Sequence, residues 1–152
     1  MSSELKNRWT AIEKLWDEIN IYDGPDIFLS TYSAAGQPAG LLYAAHFAES
    51  EICNGGFKQQ FSNSTGILSP EAVQGFQLIG MPQTAQILLS AMETLGHPFP
   101  RERKTRQEIL KSVPLETLRA LDKQFFQLIR TENGGFLTAS DAFVINMNDE
   151  AK

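Results

Sequence analysis

Very little in this chain is equipped for chemistry. One cysteine, Cys53, stands among 152 residues, so no disulfide can close within the chain. That usage fits a reducing compartment, and the expected address is the cytoplasm. There are two histidines, His46 and His97, and no His-x-x-x-His, Cys-x-x-Cys or phosphate-loop pattern. No metal site, nucleotide site or cofactor is therefore expected. No apolar run approaches the roughly 20 residues that span a bilayer, and the first residues lack the apolar core of a secretion signal. Neither a membrane span nor a leader is expected. Charge is modest, at 20% of residues and a net −5, which argues against direct nucleic-acid binding.

What is present is helical patterning. Leu5, Trp9, Ile12, Leu15, Trp16 and Ile19 recur at three- and four-residue steps, which predicts a helix over about residues 3–20. Further helices are expected over about 25–34, 38–53, 57–63, 69–80, 82–95 and 101–111, with a long amphipathic one after Pro114. In Ser69-Pro70-Glu71, Ser69 is placed to cap, Pro70 to take the first helical position and Glu71 to face the positive end of the dipole. Residues 142–146 fit either a last helical turn or a short strand. The expectation is an all-α single domain over 1–152 with about seven helices and disordered ends at 1–4 and 147–152.

The densest signal is Glu51-Ile-Cys-Asn-Gly-Gly-Phe-Lys-Gln-Gln-Phe-Ser-Asn-Ser-Thr-Gly66. Asn54-Gly55-Gly56 reads as a helix stop that redirects the chain, because Asn and Gly enter positive φ at little steric cost. Phe57 and Phe61, four apart, then put two rings on one face of a short second helix. Asn-Gly-Gly-Phe returns at 133–136 without matching flanks, which reads as the same stop used again and not as an internal repeat.

These residues resemble the signature of the DNA mimic protein nineteen family, a bacterial family. Glu51, Asn54, Gly55, Gly56, Phe57, Gln59, Phe61, Asn63, Ser64 and Gly66 all fall on its pattern. The likeness continues into Pro70-Glu-Ala-Val and thins over the first forty residues and after about Leu128. It implies an all-helical, dimeric domain that binds other proteins.

Three functions compete. The first is a non-enzymatic module that docks on and blocks a protein with a basic surface, such as a DNA-binding protein, or a toxin to which it gives immunity. Glu13, Asp17, Glu18, Asp23, Asp26 and Glu49 are the candidate acidic surface, although Lys6, Arg8 and Lys14 dilute it. The second is a small-ligand binder or enzyme with a polar pocket at Asn54–Gly66. There Asn54, Gln59 and Asn63 would position a substrate, and Glu51 would be the only local base. The bland alternative is that these side chains satisfy backbone groups at helix ends. The third is phosphate contact through residues 101–111, against which the Glu102/Arg106 and Lys104/Glu108 spacings suggest a self-paired, solvated face. Cys53 reads as a small buried hydrophobe, since two helical turns, about 10 Å, separate it from His46.

Overall fold

The structure is a computed structural model that describes Ile12, Glu13, Leu29, Ser30, Tyr32 and residues 38–150, the side chains of 148–150 excepted. The expected helices over 3–20 and 25–34 therefore lie almost wholly outside the described residues, as do Asp17, Glu18, Asp23 and Asp26. Among the described residues there are six α-helices, two 3-10 turns and no strand. The helices are α1 (Ala39–Ser62), α2 (Ser69–Leu78), α3 (Pro82–Glu93), α4 (Arg103–Leu110), α5 (Leu115–Thr131) and α6 (Phe136–Glu150). Residues 142–146 are helical, inside α6.

Helix α1 is the axis of the domain. It packs against α2, α4 and α5, while α2 packs on α3 and α3 on α5. Leu42, Ala45, Ala48 and Ile52 line its buried face before the bend, and Phe57 and Phe61 continue it afterwards. A run of rings crosses the core. Phe57 lies 5.5 Å from Phe125, Phe125 lies 6.0 Å from Phe76, and Phe76 lies 5.8 Å from Phe136, all edge to face. Such pairs contribute about 0.5–1.5 kcal/mol each beyond their buried area. The first and last rings of the run are the phenylalanines of the two Asn-Gly-Gly-Phe segments, so the core itself joins the two turns.

One local expectation is corrected. Ser69 does not cap α2. It sits inside the helix, fully buried, and its hydroxyl donates to the Gly66 carbonyl at 2.8 Å, while Leu68 occupies the cap position. A 3-10 turn over Ser64–Leu68 feeds directly into α2 and leaves no free helix end for a serine to cap.

Candidate functional site

The first glycine turn breaks α1 in two. Gly55 has φ −147° and ψ 15°, and Gly56 has φ 77° and ψ −177°. The second of these conformations is open only to glycine. It restarts the chain as a short half-helix over residues 57–62. A Cβ on Gly56 would also lie 2.5 Å from the Asp122 carboxylate. That carboxylate, carried by α5, accepts the Phe57 N–H at 2.8 Å. It therefore places an acceptor and a negative charge at the positive end of the half-helix. Burial raises the Asp122 carboxyl above its ordinary value, opposed by the Phe57 bond and the Arg119 charge.

The polar residues of the signature turn toward one another. Glu51, before the bend, accepts from Gln59 Nε2 and Asn63 Nδ2, both at 2.8 Å and both beyond the bend. The carboxylate is thus a clasp across the joint. A Cβ on Gly55 would run into the Gln59 side chain and open it. Asn54 is exposed, on the last helical turn before the break. Phe57 and Phe61 are fully buried and stacked at 5.8 Å.

The far end of the half-helix belongs to α4. Arg106 is completely buried, and its guanidinium donates to the carbonyls of Phe61 and Asn63 at 2.9 Å each and to that of Arg101. Arg103 and Gln107 both donate to the Ser62 carbonyl, at 2.7 and 2.9 Å. Arg101 donates to the Ile67 carbonyl and pairs with Glu71 at 2.8 Å. These donors, cationic except for Gln107, meet carbonyls that a helix C-terminus leaves unbonded. Burial, with Arg103 and Arg101 nearby, lowers the Arg106 guanidinium to about 10, so it remains charged at neutral pH. The self-paired face expected of residues 101–111 is corrected in part: Lys111 does pair with Glu108, but Arg106 points into the core and not toward Glu102. The three arginines of this segment serve the protein's own backbone, which leaves little for phosphates.

The second turn uses the same tetrapeptide. Asn133 (φ 52°), Gly134 (φ 85°) and Gly135 (φ 93°) all lie in positive φ, and Phe136 opens α6. Asn133 Nδ2 donates to the Ile79 carbonyl at 3.0 Å. The preceding Glu132 caps α3, accepting from Gln83 N at 2.8 Å and from Thr84 N and Oγ1 at 2.7 and 2.8 Å. Sequence reasoning missed Asp122, Arg106 and Glu132. Only Glu132 carries a local signal, an acid directly before the turn; the other two act on carbonyls and amides far along the chain.

A cleft of about 610 Å³ opens where the second turn meets α1 and α5. Glu49 and Cys53 of α1 form one wall, Phe126 and Arg130 of α5 another, and the second turn with the start of α6 the third. Asn54, Gln59 and Asn63 do not line it. Cys53 is exposed here, not buried as its residue type suggests, because it falls on the α1 face that the second turn leaves uncovered. Burial of its sulfur and the neighbouring Glu49 carboxylate, to which the thiol donates, push it up to about 11, so it is a neutral thiol at physiological pH. Of the acidic set, Glu13 is helical and exposed, Glu49 is half-buried on the cleft wall, and Glu51 is held in the clasp. The described residues contain no cluster of three potential metal ligands and no helix long and apolar enough to cross a membrane.

A helical domain organised around a broken axial helix, with the break clamped from both ends, is the class that this geometry defines. The chain belongs to the family described as DMP19-like protein, whose model matches residues 35–145 and so takes in α1 through most of α6. The resemblance drawn from the Glu51–Gly66 signature is thereby borne out. No curated protein and no solved structure matches the chain.

Proposed function

We propose that the protein is a non-enzymatic binding module that docks on another protein with a basic surface, a DNA-binding protein or a nuclease toxin, and blocks it. The observation that carries this reading is the clasp. Glu51, the only carboxylate of the signature, is held by Gln59 and Asn63 and serves the joint, so the motif offers architecture in place of a general base. Membership of the DMP19-like family supports the same direction. So does the uneven charge along the chain: the first 53 residues hold Glu4, Glu13, Asp17, Glu18, Asp23, Asp26, Glu49 and Glu51 against Lys6, Arg8 and Lys14. An acidic face steers a basic partner and raises its on-rate more than its affinity.

The test uses the intact chain as bait beside a variant with Asp17, Glu18, Asp23 and Asp26 changed to Asn or Gln. A captured protein fits the reading if it binds the bait directly after purification, is displaced by duplex DNA or loses nuclease activity in the complex, and is held more weakly by the neutralised variant. Equal capture by both baits, or a partner indifferent to DNA and unimpaired in activity, overturns it.

A further inference from the structure

The cleft beside the second turn is not used by the docking reading. Its volume of about 610 Å³ falls in the range of small-molecule sites, roughly 300–1,000 Å³. Its walls are mixed in a particular way. Phe126, Ile129, Phe136 and Leu137 supply an apolar surface. Leu137 stands at the lip and is 55% exposed, an unusual position for a leucine beside a formed cavity. Two residues of opposite charge, Glu49 and Arg130, line the cleft together with Cys53; the Glu49 carboxylate accepts a hydrogen bond from the thiol, and the Arg130 charge also acts on it. Arg130 Nε is committed to the Phe126 carbonyl at 2.9 Å, and its terminal nitrogens have no protein partner among the described residues.

A ligand matching those walls needs an apolar body and both signs of charge close together. We propose that the cleft binds a short zwitterionic peptide with apolar side chains. Its carboxylate meets the terminal nitrogens of Arg130 in a bidentate pair, its ammonium meets Glu49, and a side chain covers Leu137 and Phe136. Cys53 stays a neutral thiol and takes no covalent part, which makes it a reporter of occupancy.

The probe is the dipeptide leucyl-phenylalanine, titrated calorimetrically into the purified chain, with the rate of Cys53 alkylation followed in parallel. Binding in the millimolar range or tighter is expected, together with slower alkylation. Acetylating the amine or amidating the carboxylate should weaken binding about tenfold each, the equivalent of about 1.4 kcal/mol. Arg130→Gln should reproduce the loss for the carboxylate and Glu49→Gln that for the amine. Thr138→Trp, which fills the cleft and leaves both charges in place, should abolish binding; circular dichroism checks that each variant is folded. No binding and no protection of Cys53 overturns the proposal. So does binding that survives blocked termini or both charge substitutions undiminished, which would mark an apolar groove only. The measurement needs no protein partner, so it stands or falls apart from the docking reading.

Discussion

Asn54–Phe57 and Asn133–Phe136 are the same four residues put to work in two settings. The second glycine adopts nearly the same conformation in both, φ 77° and ψ −177° at Gly56, φ 93° and ψ 164° at Gly135. In both the chain then passes to a buried phenylalanine that opens a helix. What differs is everything around the bend. The first turn interrupts a helix and is held from within by Glu51 and from outside by Asp122 and Arg106. The second joins two separate helices and reaches outward, with Glu132 and Asn133 fastened to the start of α3 and the end of α2. The tetrapeptide sets the direction of the chain; the polar residues nearby decide what the bend is tied to.

The comparison can be broken most forcefully at the glycines. Gly56→Ala combines a glycine-only conformation with loss of the Asp122 cap, and should cost about 3–4 kcal/mol in urea unfolding. Gly135→Ala meets a similar strain and the Arg130 carbonyl but disturbs no cap, and should cost about 2–3 kcal/mol. Equal losses would mean that the first turn gains nothing from its clamps. Next comes the carbonyl end of the half-helix. Arg106→Met leaves the Phe61 and Asn63 carbonyls without their donor and should cost about 3 kcal/mol by the same measurement.

Asp122 sharpens the contrast through pH. Asp122→Ala removes the acceptor from Phe57 N–H and should cost about 1–2 kcal/mol, whereas Asp122→Asn keeps an oxygen there and should stay within about 0.5 kcal/mol of the parent at neutral pH. Burial raises this carboxyl in the folded state, so folding favours its protonated form. Its contribution is complete below the unfolded-chain value and is lost as pH rises through the raised folded value. The parent should therefore gain stability relative to Asp122→Asn as pH falls from neutral toward about 4. At the second turn, Glu132→Gln keeps one of two carboxylate acceptors and should cost about 1 kcal/mol in a thermal melt, less than either the glycine or the Arg106 substitutions.

The helices α3 and α5 were readable because their apolar residues recur at helical spacing, Pro70, Pro82 and Pro114 mark the starts of α2, α3 and α5, and the basic run over 101–111 marks α4. The bend was readable too, since paired glycines after a helical run have few other uses. The inward turn of Arg106 was not. A charged residue between Thr105 and Gln107 reads as solvent-facing, and only the convergence of three carbonyls from elsewhere makes burial tolerable. Ser69 misled for a related reason. Ser-Pro-Glu is sound capping chemistry, but the chain arrives there already helical. Glu51, Asn54, Gln59 and Asn63 read as a convergent group, of which Glu51, Gln59 and Asn63 do converge while Asn54 stays exposed. That these three close on each other, leaving the cleft beside Cys53 and not beside Asn54, depends on which face of α1 the second turn leaves open.

The buried guanidinium also imposes an order of events. Residues 57–62 lie near the middle of the chain, yet one end of their half-helix is completed by residue 106 and the other by residue 122. During translation, the segment leaves the ribosome long before either clamp has been made. Until then its two phenylalanines have no finished helix to sit on. The joint at the centre of the domain is thus among the last parts able to assemble, and a growing chain that stalls before α5 would expose the very rings around which the mature protein is built.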